Sequence, residues 1–501
     1  MLRKIRISLA IIASLFITLL FLDFTGTIHS FLGWMAKVQF VPAVLAVNAL
    51  IITALVLLTL VFGRIYCSVL CPLGVMQDVV SWFSKNRKSK RKKPFKYSKP
   101  ITWLRWTFLA VFVLLIFAGF TRFATIIEPY SAFGRIAENL FSPLYRLVNN
   151  IFAHFAEQWD SYAFYSSAVW IKSTEVLVIS VATLLIVGYL AWTKGRLYCN
   201  TICPVGTILG FVSRFSFFKI SIDKSACNHC GTCALKCKSQ CINSKEQKID
   251  SSRCVACYDC LDACSKKALS YKFAPFAKSQ SQKPKTVAPI TVDKSKRSFL
   301  TISALVATAT LLKAQESAVD GGLAQIEGKK IPKRQKALLP PNAKNQKSFD
   351  LHCTACQLCI SVCPNKVLRP STDIARFMQP EMQYERGFCR PECTRCSDVC
   401  PTKAIEKITV EQKSSLKIGT AVWVRENCVV TTDEVNCENC ERHCPVGAIS
   451  RVPIDPDKPR GLKIPVVDTE SCIGCGGCEN RCPGRPFAAI YVEGIEQQRY
   501  I

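Results

Sequence analysis

Cys227-Asn228-His229-Cys230-Gly231-Thr232-Cys233-Ala234-Leu235-Lys236-Cys237 is followed, after 16 residues, by Cys254-Val255-Ala256-Cys257-Tyr258-Asp259-Cys260-Leu261-Asp262-Ala263-Cys264. Each run spaces its cysteines x2, x2, x3. Three thiols on a tight loop can grip one four-iron cluster, while the fourth closes the neighbouring cluster. On that rule Cys227, Cys230, Cys233 and Cys264 form one ligand set, and Cys254, Cys257, Cys260 and Cys237 the other. Cys-x2-Cys pairs also occur at zinc sites. Two complete runs in tandem favour [4Fe–4S] chemistry.

The same pattern returns four times downstream. Cys353, Cys356, Cys359 and Cys363 have regular spacing; Cys389, Cys393, Cys396 and Cys400 open with x3. Cys428 is separated by eight residues from Cys437, which Cys440 and Cys444 follow, and Cys472, Cys475, Cys478 and Cys482 are regular again. These 16 cysteines imply four further [4Fe–4S] clusters, six in all. Regular outer runs and irregular inner runs suggest that the first pairs with the fourth and the second with the third; adjacent pairing is the alternative. After the last cysteine of three runs comes x3-Ala-Ile/Leu, at Ala268-Leu269, Ala404-Ile405 and Ala448-Ile449. Cys241-Ile242 holds that place after Cys237, so Cys241 reads as a small buried residue beside a cluster. His229 and His443 lie in cluster loops, where a hydrogen bond to the site or plain exposure is open to them.

Upstream, Gly63-Arg64-Ile65-Tyr66-Cys67-x3-Cys71-Pro72 is echoed by Gly195-Arg196-Leu197-Tyr198-Cys199-x3-Cys203-Pro204. Helical Cys-x3-Cys places both thiols on one face, and two such pairs offer four thiolates. Cys67, Cys71, Cys199 and Cys203 are therefore a candidate additional redox or metal site, with room for a seventh cluster. A dithiol pair or structural packing are the alternatives.

Each echo follows an apolar run. Ile5–Leu22, Val41–Phe62, Ile101–Phe120 and Thr174–Trp192 are each long enough to be read as a membrane span. Residues 63–100 carry ten Lys/Arg and one acidic residue, whereas residues 121–173 carry four of each. The positive-inside rule places residues 63–100 and 193–298 in the cytoplasm. Arg105, near the start of the third run, is expected to snorkel to the surface. The first run is expected to anchor the chain rather than be cleaved.

Net charge is +29, from 65 Lys/Arg against 36 Asp/Glu. Six all-cysteinyl [4Fe–4S] centres at about −2 each offset roughly 12 of those charges. The remainder suits a membrane surface, and nucleic acid is not expected as a partner. The 29 cysteines come in metal-binding runs rather than the scattered spacings of a disulfide scaffold. No haem-attachment Cys-x2-Cys-His, nucleotide-binding Gly-x-Gly-x2-Gly or Walker sequence occurs. Residues 276–347 read as a linker containing Ser295-Lys296-Arg297-Ser298-Phe299-Leu300 and a short apolar stretch to residue 313.

The four runs, the doubled Cys-x3-Cys-Pro and the first two-cluster unit together resemble the NapH/MauN-type membrane ferredoxins over residues 1–275. Residues 295–501 resemble the NapG/MauM-type four-cluster ferredoxins, which carry a twin-arginine export signal; here Lys296 replaces the first arginine. The resemblance implies an α-helical membrane bundle of four spans, with a candidate fifth, joined to α+β bacterial-ferredoxin-like domains. The expected domains are 1–215 (membrane), 216–275 (two clusters), 276–347 (linker, with the export-like segment 295–313) and 348–501 (four clusters). It implies a multi-pass protein of the bacterial inner membrane, with residues 314–501 in the periplasm. The implied function is transfer of electrons from quinol, as substrate, through [4Fe–4S] clusters to a partner reductase or cytochrome, as in the nitrate system. Such a chain is an electron-transfer component rather than a stand-alone enzyme. The alternative is an assembly, maintenance or metal-reducing accessory factor for a respiratory metalloenzyme.

Overall fold

The computed structural model describes residues 1–23, 25–86, 95–161, 164–274 and 327–501. The export-like segment 295–313 and most of the linker lie outside the described residues.

Two helices are long and apolar enough to cross a membrane, Leu2–Leu22 and Thr174–Lys194, each of 21 residues. The first meets no proline or glycine and ends at Asp23. The carboxylate of Asp23 collects the backbone N–H groups of Thr25, Gly26, Ile28 and His29, turning the chain into the short helix Thr27–Leu32. The second starts at Ser173, whose hydroxyl accepts from the Val176 N–H.

The other two apolar runs are shorter as helices than as sequence. Val41–Phe62 splits into Phe40–Leu45 and Ala49–Phe62, because Val47 takes φ +52 and Asn48 caps the second piece by accepting from Ile51 N. Ile101–Phe120 yields Thr102–Phe117, stopped before Gly119 at φ +80. These 14- and 16-residue helices reach about 21 and 24 Å, against a hydrocarbon core of about 30 Å. The four equal spans expected from hydropathy are thus two full-length helices and two short ones.

In the two-cluster unit Phe218–Ile222 pairs antiparallel with Leu269–Phe273, and Ile242–Asn243 with Lys248–Ile249. The short helices Thr232–Lys236 and Asp259–Ala263 pack against each other. The C-terminal part repeats this plan with Leu368–Pro370 on Pro380–Met382, Ile449–Pro453 on Lys463–Val467, and Leu416–Trp423 on Ile490–Tyr500.

The two ferredoxin units touch opposite ends of Leu2–Leu22. At its start Arg3 Nε donates to Asp259 Oδ1 (2.9 Å) and Nη1 to Asp262 Oδ2 (3.3 Å). At its end Phe21 packs on Tyr130 and Phe133 (ring centroids 6.0 and 6.4 Å), in one core with Cys353, Cys356 and Cys359. Thr121 Oγ1 donates to the Asp350 carbonyl, and Asn139 Nδ2 to Gln357 Oε1 (2.7 Å), fixing the C-terminal unit there. The helix from Arg3 to Phe21 separates these contacts by about 27 Å.

Candidate iron–sulfur centres and the doubled cysteine motif

The C-terminal cysteines group by adjacent runs. The thiols of Cys353, Cys356 and Cys359 lie within electrostatic reach of Cys400. Those of Cys389, Cys393 and Cys396 surround Cys363. Cys440 faces Cys437 and Cys482, with Cys428 in the same core, while Cys475 and Cys478 stand with Cys472, and Cys475 faces Cys444. The pairing is therefore first with second and third with fourth, which corrects the outer-with-outer expectation. The physical reason is helix packing: Leu358–Ser361 lies on Arg395–Val399, and Asn439–Arg442 on Gly477–Arg481. Spacing irregularity had no bearing on it.

The two pairs join at one backbone bond, from Cys389 N–H to the Cys475 carbonyl (2.9 Å). Tyr130, from the helical part, lies within reach of Cys356 and Cys400. The sets thus run outward in the order 353/356/359/400, then 389/393/396/363, then 472/475/478/444, then 428/437/440/482.

In the two-cluster unit Cys260 faces Cys257, Cys254 and Cys237, and Cys233 faces Cys230 and Cys227. Cys264 shares the core of Cys233. Cys241 is 1% exposed with its sulfur 3.5 Å from that of Cys237. His229 and His443 each place Nδ1 on a backbone carbonyl, Ser244 (3.2 Å) and Asn439 (2.9 Å), so they shape loops rather than approach thiols.

The doubled motif folds into one buried site. Gly63 and Gly195 end long helices at φ +77 and +65, and the short helices Ile65–Val69 and Leu197–Thr201 follow. The four thiols of Cys67, Cys71, Cys199 and Cys203 are buried within mutual reach. The repeats cross over. Arg64 Nη2 donates to Cys67 Sγ (3.8 Å) and to the Cys199 carbonyl (3.1 Å); Arg196 Nη1 donates to Cys199 Sγ (3.7 Å) and to the Cys67 carbonyl (2.8 Å). Both arginines are fully buried, and Gln77 Nε2 adds a donor to Cys199 Sγ (3.3 Å). The Cys-Pro-x-Gly end of each repeat now has a reason. A Cβ on Gly206 would overlap the Cys199 carbonyl oxygen and come within 2.9 Å of Arg64 Nη2, and one on Gly74 would meet the Cys67 carbonyl and Arg196 in the same way. Gly206→Ala should accordingly cost about 1–3 kcal/mol, read as a lower midpoint in denaturant unfolding.

Sequence reasoning missed Arg64, Arg196, Gln77 and Asp78. Asp78 Oδ1 accepts from Arg196 Nε (2.8 Å), its other oxygen pairs with Arg6, and Lys238 Nζ stands 3.6 Å away. Burial opposes its charged form, but Arg196, then Lys238 and Arg6, outweigh this and hold the carboxyl well below the usual carboxylate range. The arginines were legible, since both copies of the repeat carry one before the first cysteine. Arg64 Nη1 also donates to the Ser252 carbonyl (3.0 Å), two residues before Cys254, so the doubled motif abuts the two-cluster unit. Arg105 does not snorkel: it is 5% exposed, and its Nη1 donates to Ser252 Oγ (3.3 Å).

The donor chemistry fits iron–sulfur clusters. Among the described residues no three acid, histidine or cysteine side chains converge closely enough to hold a single ion. Arg64, fully buried beside the four thiols with no carboxylate partner among the described residues, calls for an anionic occupant, because unpaired buried charge is costly; an all-cysteinyl [4Fe–4S] centre carries about −2.

Residues 45–91 and 175–223 match the family "4Fe-4S binding domain", and residues 435–485 the family "4Fe-4S dicluster domain". The first match contains the doubled motif, the second Cys437, Cys440 and Cys444 of the third run and all of the fourth, with Cys428 outside it. The chain is similar to methylamine utilization ferredoxin-type protein MauM of Paracoccus denitrificans, at 33% identity over 161 residues, 30% of this chain and 69% of the relative. MauM of Methylobacillus flagellatus is 35% identical over 155 residues, 29% of this chain; the match spans 63% of that relative's length. Ferredoxin-type protein NapG of Escherichia coli is 30% identical over 155 residues, 29% of this chain and 65% of the relative. No solved structure matches the chain significantly. Through this NapG/MauM-like part, the chain belongs to the MauM family of ferredoxin-type, [4Fe–4S]-binding proteins.

Proposed function

We propose that this chain is a membrane-bound iron–sulfur conduit that takes electrons from the quinol pool and delivers them to a reductase or cytochrome partner in a respiratory system. The observation that carries the reading is Leu2–Leu22, apolar, long enough to cross a membrane, and contacting one ferredoxin unit at each end. On this reading the N-terminal half is NapH/MauN-like and multi-pass in a bacterial inner membrane, with residues 63–100 and 193–298 inside and 314–501 in the periplasm. NapG of Escherichia coli and the MauM proteins, ferredoxin-type by name, support the electron-transfer class.

The ligands are the 24 cysteines of the six runs in the sets described above, and Cys67, Cys71, Cys199 and Cys203 hold a seventh centre. Bound [4Fe–4S] centres supply one-electron carriers whose potentials the protein sets through charge, hydrogen bonding and burial. Arg64 and Arg196 place positive charge against the inner site. Thr121 and Asn139 fix the 353/356/359/400 set against the helical part. The 428/437/440/482 set stands furthest out, with Cys437 and Cys440 only half-buried, and is the natural exit to a partner.

Purified anaerobically, the chain should contain about 28 iron atoms, or about 24 if the doubled motif is empty. Its visible absorbance should bleach on addition of a menaquinol analogue. An intact, iron-loaded preparation that no quinol reduces would sink the conduit reading.

A further inference from the structure

We propose that a cavity between the helical part and the C-terminal unit takes the headgroup of a membrane quinol, and that Glu138 accepts the hydroxyl proton. This rests on the conduit reading and gives that reading's substrate a place.

Two cavities meet here, sharing Arg146, Trp170 and Lys172 in their walls. The larger, about 430 Å³, has Cys363 and Pro364 in its wall. It is ample for a one- or two-ring headgroup, and such a ring would lie against a thiol of the 389/393/396/363 set. Glu138 lines the smaller cavity. It sits in the π-helical turn Ala137–Phe141 between the helices Pro129–Ile136 and Ser142–Gln158, a distortion that recurs at functional sites.

Glu138 is 2% exposed; one carboxylate oxygen pairs with Lys172, and Oε2 has no partner among the described residues. Trp170 Nε1 is likewise buried and unpartnered. A buried acceptor and a buried donor left unmade are each costly. A quinol satisfies both, one oxygen donating to Glu138 and the other accepting from Trp170. The Trp170 ring is itself held between Arg369 and Arg386, at 4.4 and 4.7 Å. The helix Ser142–Gln158, which lends Ser142, Pro143 and Arg146 to the smaller cavity, exposes Leu144, Leu147, Val148 and Ile151, and Val178, next to the cavity residue Leu177, is 65% exposed.

The chemistry balances. The hydroxyl donating to Glu138 breaks its O–H bond with the proton passing to that carboxylate, and the hydroxyl at Trp170 releases its proton to water at the exposed wall of Ser166 and Ala168. The two electrons left on the ring leave one at a time to the [4Fe–4S] oxidant that Cys363 would help to hold. Quinone, two protons and two electrons result. Arg146 and Lys172 favour the hydroxyl oxygen as it becomes anionic.

The test uses the full iron-loaded chain in lipid nanodiscs, titrated with the quinol analogue 2-heptyl-4-hydroxyquinoline N-oxide and followed by quenching of the analogue's fluorescence. Wild type should quench saturably. Ala168→Trp, which fills the cavity from an exposed position, should weaken binding at least about tenfold with iron content unchanged. Glu138→Gln should leave reduction by dithionite intact and slow reduction by quinol about 100-fold or more. If Ala168→Trp binds the analogue and is reduced by quinol like wild type, the conduit stands and this location is wrong. If wild type binds no analogue and quinol does not reduce it, the conduit reading falls and the site with it. Protection of the cavity by inorganic phosphate, with no analogue bound, would make it an anion site and overturn the proposal.

Discussion

Asp78→Leu is expected to be among the most damaging single substitutions outside the cysteines, destabilising the protein by about 3–5 kcal/mol. Asp78 is the shared counter-ion of Arg6, Arg196 and Lys238. Arg6 belongs to the first long helix, Arg196 to the second repeat of the doubled motif, and Lys238 to the two-cluster unit. Leucine fits the volume but leaves two guanidiniums, those of Arg6 and Arg196, buried without that carboxylate. Denaturant unfolding followed by iron absorbance would show a lower midpoint, and the four irons assigned to the doubled motif should be lost first. A variant with wild-type stability and about 28 irons would show that the three cations find other partners.

The same carboxyl predicts a pH dependence. Its folded pKa is depressed, so its contribution to stability is complete above the ordinary aspartate pKa. That contribution is lost as pH falls through the lower folded value. Acid sensitivity of the wild type should therefore shrink in Asp78→Asn, measured as the difference in unfolding midpoint between neutral and acid solution.

Cys400→Ser and Cys353→Ser should lose the same centre. Adjacent pairing places both thiols in one set, so each variant should hold about four fewer irons and lack the same paramagnetic signal on reduction. Pairing of the first run with the fourth predicts instead that Cys353→Ser and Cys482→Ser match. Because the 353/356/359/400 set stands nearest the helical part, either loss should also break electron exchange between the doubled motif and the outer sets. Rapid mixing with quinol, which delivers its electrons at the 389/393/396/363 set, should then bleach the outer centres while the inner ones stay oxidised.

The sequence by itself determined the chemistry. A thiol run spaced x2, x2, x3 forms a tight loop of the kind that grips a four-iron cluster, so the [4Fe–4S] class, which the family matches support, is local and was legible. The crossing of each fourth cysteine to its neighbour, seen at Cys237, Cys363 and Cys400, follows from the same short loops. Hydropathy found the apolar segments but overstated two of them. Val47 at φ +52 and the Asn48 cap act over a few residues that a window average smooths away.

What only the tertiary structure decided is which distant pieces share an environment. Spacing within a run says nothing about which run packs on it, since that depends on apolar faces such as Leu358–Ser361 against Arg395–Val399. Arg105 could not be placed from its position near a helix end, because its partner, Ser252, lies 147 residues away. Asp78 reads as an ordinary polar residue until Arg6, Arg196 and Lys238 are brought to it. Glu138 and Trp170 read as loop residues until the C-terminal unit closes over them. Covalent spacing fixes chemistry within a few residues, whereas burial and charge pairing depend on through-space neighbours, and those exist only once the chain has folded.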